Sequence, residues 1–206
     1  MRLSDRAREL PESGIRKFFE LAEARDDVIS LGVGEPDFSA PWAARTAAID
    51  SLERGKTSYT ANRGMGALRE RIADHHERYG QSYDPDEEAI VTTGASEAVD
   101  LAFRALVNPG DTVALHEPTY ISYGPGIELA GGERLSVPTR AADDFALTRE
   151  ALESSGAADA DLLVCCYPNN PTGATMTDAE LAEVAAFCRE NDIRVVADEI
   201  YAALTY

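Results

Sequence analysis

The apolar positions along the chain fall into two periods. Residues 11–25 place Ile15, Phe18, Phe19 and Ala22 at the three- and four-residue spacing of one helix face. A second helix is predicted over 41–54, with Pro41 in the first turn, where a missing N–H costs nothing. A third is predicted over 65–79, with Leu68, Ile72 and His75 on one stripe. The stretches 29–40 and 55–64 read as loops.

From residue 89 short apolar runs alternate with helical stretches. AIVTT (89–93) is apolar and β-branched, reads as a strand, and leads through Gly94 into a helix over 96–107. Asn108-Pro109-Gly110-Asp111 is a turn, and TVALH (112–116) is the next predicted strand. A helix over 122–130 stops at Gly131-Gly132, and ERLSVP (133–138) is a third strand. Then come a short helix (148–154), a strand DLLVCCY (161–167), a helix (178–191) and a last strand IRVVAD (193–198). Such alternation predicts an α/β fold with a mainly parallel sheet and helices on both faces. Ligands in such sheets bind beyond the carboxyl ends of the strands, so chemistry is sought just after each strand.

Composition narrows the function. The chain has 206 residues, 37 acidic against 19 basic, and a net charge of −18. A surface this negative excludes an ordinary nucleic-acid binder and disfavours anionic lipid. Lysine occurs only at Lys17 and Lys56, the other basic residues being arginine. Abundant acid with little lysine is the expected profile of a protein kept soluble in concentrated salt. The N-terminal MRLSDRARELPESG has no apolar core of a signal peptide, and no apolar run reaches membrane-spanning length. A cytoplasmic location is expected. Cys165, Cys166 and Cys188 show no metal-ligand spacing and read as small buried hydrophobes, with Cys165 and Cys166 on opposite strand faces.

Four strand ends carry the chemistry. Thr93-Gly94-Ala95-Ser96 puts a glycine and a small hydroxyl at a helix start, where free N–H groups and the dipole suit a phosphate; a plain N-cap at Ser96 fits equally. Glu117-Pro118-Thr119-Tyr120 offers an aromatic face for a planar ligand. Tyr167-Pro168-Asn169-Asn170-Pro171-Thr172-Gly173 fixes an unusual backbone and leaves amide side chains available. Asp198-Glu199-Ile200-Tyr201 supplies a carboxylate that burial would penalise unless it faces a cation, and a protonated ring nitrogen is one. A phosphate site, an aromatic face, a carboxylate for a ring nitrogen, and hydrogen bonds from Asn170 and Tyr201 to a ring oxygen together suit pyridoxal 5′-phosphate.

With these residues the chain resembles the class I/II aminotransferases, fold-type I pyridoxal-phosphate enzymes, and their aspartate/aromatic branch. The matching segments are ISLGVGEPDF (29–38), SYTANRGMGALRERIA (58–73), VTTGASEAVDLAFRALVNPGD (91–111), EPTYISY (117–123), YPNNPTG (167–173) and VVADEIYAALTY (195–206). The resemblance implies that Ala95 and Ser96 hold the cofactor phosphate, Tyr120 stacks on the ring, and Asn170 and Tyr201 bond its phenolic oxygen. It implies that Asp198 keeps the ring nitrogen protonated and that Gly34, with Asn170, lies beside the substrate carboxylate. Tyr59 would reach the phosphate bound in the partner subunit, which implies a homodimer. Residues 1–45 would form an N-terminal arm and part of the small domain, and 46–206 an incomplete cofactor-binding large domain. The substrates implied are an amino acid and a 2-oxo acid.

One element of the family is missing. Its Schiff-base lysine follows the Asp-x-x-Tyr segment by some 30 to 40 positions, whereas this sequence has five residues after Tyr201. Lys17 and Lys56 match no such motif, so no catalytic residue is assigned. The family's arginines for the phosphate and for the substrate α-carboxylate are not seen either. The expectation is a truncated aminotransferase, inactive alone. The alternatives are one piece of a split enzyme, a non-catalytic half-site or interaction protein, and a fragment of another fold-type I enzyme such as a C–S lyase. A nucleotide-binding α/β domain is disfavoured, because neither GxGxxG nor a Walker A motif is present.

Overall fold

A computed structural model describes residues 3–10, 34 and 38–205. The predicted helix over 11–25 and most of the predicted loop over 29–40 lie outside the described residues. The chain divides into two compact units, one of residues 1–10 with 92–206 and one of 11–91.

The larger unit holds the sheet. Its elements are α1 (Asp5–Glu9), α4 (Ala95–Leu106), β1 (Thr112–Glu117), α5 (Tyr123–Ala130), β2 (Glu133–Pro138), α6 (Arg149–Ser154), β3 (Leu162–Cys166), α7 (Asp178–Glu190) and β4 (Arg194–Asp198). The four strands are parallel in the order β2-β1-β3-β4. Each strand returns through a helix, as parallel pairing requires. The register puts Val113 beside Leu162 and Cys166 beside Asp198.

Alternation along the strands sorts the core into two clusters. Ala114, Val137 and Leu163 pack with Leu152 of α6 and with Val184, Phe187 and Cys188 of α7. Val113, Leu115, Leu162, Val164 and Cys166 pack with Phe103 of α4 and with Tyr123 and Ile127 of α5. Each fully buried side chain of this size contributes about 1.5–3 kcal/mol of apolar transfer. Cys165 and Cys166 fall into different clusters, as the strand pattern predicts, and all three cysteines are free thiols. Burial pushes the Cys165 thiol up to about 12, so it stays protonated.

Helix α7 starts on a complete capping box. Thr177 Oγ1 accepts the Glu180 N–H at 3.3 Å, and the Glu180 carboxylate accepts the Thr177 N–H at 2.7 Å. Helix α5 approaches α4 at Gly126, where an added Cβ would lie 2.9 Å from the Phe103 ring.

The smaller unit contains α2 (Trp42–Glu53) and α3 (Gly66–Glu77). No residue of α2 is buried. In α3 the buried positions are Arg69 and Ala73, not the predicted stripe of Leu68, Ile72 and His75. The reason is a tertiary ion pair. Arg69 donates Nη1 to the Pro85 carbonyl at 2.5 Å and sets Nη2 3.0 Å from Asp86, which turns its face inward.

The predicted strand over 89–93 is not one. Residues 89–92 belong to no helix or strand, and the Val91 N–H donates instead to the Arg63 carbonyl at 3.0 Å. An apolar β-branched run becomes a strand only when another strand pairs with it, and no described strand does. Among the described residues no helix is long and apolar enough to cross a membrane.

Candidate functional site

The carboxyl ends of β3 and β4 and the starts of α4 and α5 enclose a cavity of about 420 Å³. That volume lies in the range of small-molecule sites. Six of the sequence-predicted residues line it: Ala95, Ser96, Tyr120, Asn170, Asp198 and Tyr201. They come from four segments up to about a hundred residues apart, gathered because every strand end points the same way in a parallel sheet.

The entry into α4 is set by Gly94. Its φ of +82° and ψ of 168° are open only to glycine at low cost, and it has no side chain to cap the helix. The Thr92 hydroxyl bonds the Gly94 carbonyl at 3.0 Å, and the Thr93 N–H donates to the Glu97 carboxylate. Ala95 and Ser96 therefore begin a twelve-residue helix on the cavity wall. Their N–H groups have no acceptor among the described residues and carry the positive end of the dipole. No Lys or Arg is among the described residues lining the cavity, and among them attraction for an anion rests on this helix start.

Asn170 and Tyr201 meet across the loops that follow β3 and β4. Asn170 Nδ2 donates to the Tyr201 hydroxyl oxygen at 3.2 Å. Tyr201 keeps its own proton to donate, and the amide keeps a second N–H. The Tyr167–Pro168 and Asn170–Pro171 peptide bonds of that loop are cis. Asn169, beside them, is buried and donates Nδ2 to the Pro118 carbonyl at 3.0 Å and to Thr172 Oγ1 at 2.8 Å. It thereby ties the loop after β3 to the loop after β1, which carries Tyr120.

Asp198 ends β4 with its carboxylate toward the cavity. Oδ1 accepts the Ile200 N–H at 3.0 Å, and Oδ2 accepts the Tyr123 hydroxyl at 2.7 Å. No basic side chain pairs with it among the described residues. Tyr123 is a residue that sequence reasoning missed as part of the site. Its spacing of three from Tyr120, one helical turn along EPTYISY, was the available signal. The two rings meet edge to face with centroids 5.5 Å apart.

Two predicted residues belong to the smaller unit. Tyr59 is fully exposed, and among the described residues no atom beyond its chain neighbours lies within 4 Å of the position a Cβ on Gly34 would take. Lys56 is exposed in that unit as well. Among the described residues no group of His, Cys, Asp and Glu side chains could hold a metal ion.

The chain matches a family model described as aminotransferase class I and II over residues 26–206. It is 48% identical to YugH of Bacillus subtilis, named as an aminotransferase, over 99% of this chain and 53% of that protein. It is 35% identical to aromatic-amino-acid aminotransferase 2 of Thermococcus litoralis, over 100% of this chain and 53% of that protein. Among solved structures it is similar to an alanine aminotransferase from Pyrococcus furiosus. That match has 30% identity and a TM-score of 0.92, and covers 100% of this chain and 54% of that one. The chain thus spans about half the length of the relatives it matches.

Proposed function

The chain belongs to the class I and II aminotransferases, and on that footing we propose that its cavity is the pyridoxal 5′-phosphate half-site of an enzyme moving an amino group between an amino acid and a 2-oxo acid. The observation that carries this reading is one cavity with a helix start at one wall and, at another, a carboxylate that has no basic partner among the described residues. Ala95 and Ser96 supply free N–H donors there, and Asp198 supplies the carboxylate. The Asn170–Tyr201 pair lines the same cavity. This donor set fits a phosphorylated pyridine.

When bound, the cofactor supplies a ring that withdraws electrons from the substrate's α-carbon. The chain's own residues do the holding. Ala95 and Ser96 bind the phosphate through backbone N–H groups. Tyr120 lies against the ring face, and Asn170 and Tyr201 hydrogen-bond its phenolic oxygen. Asp198 holds a proton at the ring nitrogen, which offsets the cost of keeping its own charge half-buried. Gly34 and Asn170 flank the substrate carboxylate. Tyr59 reaches the phosphate bound in the partner subunit of a homodimer. The relatives' names span aromatic amino acids and alanine, so the substrate is placed no more finely than an amino acid with its 2-oxo acid.

The reaction also requires an amine that takes up and returns the proton, and among the described residues no lysine lines the cavity. The 206-residue chain alone is therefore expected to bind the cofactor without transferring amino groups. Titration with pyridoxal 5′-phosphate, followed by absorbance, should saturate at one site per chain. Asp198→Asn should weaken binding about tenfold, the worth of one charged hydrogen bond. Assays with aspartate, tyrosine and alanine against 2-oxoglutarate should show no turnover. Absence of saturable binding would refute the half-site, and turnover by the isolated chain would refute its dependence on a further lysine.

A further inference from the structure

The Asp198 carboxylate is held on both oxygens by the protein itself, by the Ile200 N–H at 3.0 Å and the Tyr123 hydroxyl at 2.7 Å. The two grips differ in kind. Ile200 is a neighbour in sequence and follows any local movement of the strand end. Tyr123 is 75 residues away, 1% exposed, and the first residue of α5. Its ring sits in the cluster formed by Phe103, Leu115, Ile127 and Cys166, with Tyr120 against its edge. A ring packed in this way cannot swing, so the hydroxyl is a fixed point. Burial, the adjoining Cys166 thiol and the Asp198 carboxylate, in that order, push the phenol well above its ordinary range, so the proton stays on the tyrosine.

Asp198 has the opposite setting. It lies on β4, an edge strand of the described sheet, half-exposed and without a basic partner among the described residues. A carboxylate there is free to turn toward water unless something across the cavity holds it. Resting on the pyridoxal-phosphate reading above, we propose that Tyr123 is a positioning residue. Its buried hydroxyl locks the Asp198 carboxylate in one orientation and leaves the remaining lone pairs for a protonated ring nitrogen in the cavity. Tyr123 touches the carboxylate and acts on the ring only through it. It also joins the site to the apolar core, since the ring that carries the hydroxyl is itself a core residue.

A purely structural tyrosine would stabilise the fold without caring what the ligand carries at the nitrogen position. The test uses that difference. Binding of pyridoxamine 5′-phosphate and of its 1-deaza analogue, which has carbon in place of the ring nitrogen, is measured calorimetrically for the chain and for Tyr123→Phe. The variant removes one oxygen and keeps the packed ring; its melting curve reports folding. The expected result is about tenfold weaker binding of pyridoxamine 5′-phosphate and unchanged binding of the deaza compound. In an Asp198→Asn background, Tyr123→Phe should cost nothing further, because the group it positions is gone. Equal loss for both ligands, or no loss for either, overturns the positioning role. If the unsubstituted chain binds neither compound, the half-site reading has failed and the proposal falls with it. Tight binding of both without discrimination by Tyr123→Phe sinks the proposal alone.

Discussion

The ring of His116 lies almost flat on the ring of Tyr167, with centroids 4.9 Å apart and planes 23° from parallel. His116 is wholly buried in β1, and its Nε2 accepts the Cys166 N–H at 3.2 Å. Accepting at Nε2 requires the neutral imidazole with its proton on Nδ1. The Tyr167 hydroxyl in turn donates to the Phe145 carbonyl at 2.9 Å. The pair joins β1 to the end of β3 immediately below the loop that carries Asn169 and Asn170.

That arrangement sets an acid limit. Burial lowers the His116 pKa from 6.5 to about 4. The unfolded chain therefore takes up a proton more readily than the fold between those two values. Stability is fully present above pH 6.5 and falls as pH drops toward 4, by about 3 kcal/mol in all at roughly 1.4 kcal/mol per unit. Urea unfolding at pH 7 and pH 4.5 should show the decline. His116→Gln should flatten the part of the slope that His116 contributes, and an unchanged slope in that variant would show that other groups carry it.

Gly94 should resist any substitution with a Cβ. At φ +82° and ψ 168° an alanine is strained by about 1–3 kcal/mol, although no atom of the described residues stands in its way. Gly94→Ala should lower the melting temperature and also weaken inorganic phosphate or cofactor binding, because relief of strain moves the Ala95 and Ser96 N–H groups. A variant that melts early but binds normally would separate the backbone turn from the anion site.

Gly126 is constrained by space rather than conformation. A Cβ there would meet the Phe103 ring at 2.9 and 3.0 Å. Phe103 is itself fully buried, so the ring has nowhere to retreat. Gly126→Ala is expected to destabilise by about 1–3 kcal/mol through overpacking, read as a shift in the denaturant midpoint. Gly126→Ala combined with Phe103→Leu should recover part of that loss.

Thr177→Ala should remove one acceptor of the capping box and cost about 1 kcal/mol. Thr177→Ser should cost little, since the hydroxyl remains. Cofactor binding should be the same in both, because Thr177 does not line the cavity.

The strand–helix alternation from residue 112 onward was legible because parallel strands buried on both faces read as unbroken apolar runs. TVAL and LLVCC are such runs, each followed by a helical pattern. The same signal misled at 89–93, since an apolar β-branched run says nothing about whether a neighbour is present to pair with it. The stripe of Leu68, Ile72 and His75 failed for a related reason. Arg69 is polar by type, yet its ion pair with Asp86 and its bond to Pro85 make its face the buried one. Of the site, the residues on loops after strands could be found by position alone. Tyr123 carried only its spacing of three from Tyr120, and its link to the site is a hydrogen bond to a residue 75 positions away, which spacing does not show.

Residue types at strand ends, in the order Gly94-Ala95-Ser96, Tyr120, Asn170 and Asp198-x-x-Tyr201, were enough to point to the family that the comparisons show. That information is local, because chemistry needs particular functional groups and a parallel sheet puts its strand ends on one side. Orientation was decided only by the tertiary structure: Asn170 against Tyr201, and Asp198 held from across the cavity by a buried phenol. Direction depends on which distant side chains pack beside a group, and packing is a property of the folded chain as a whole.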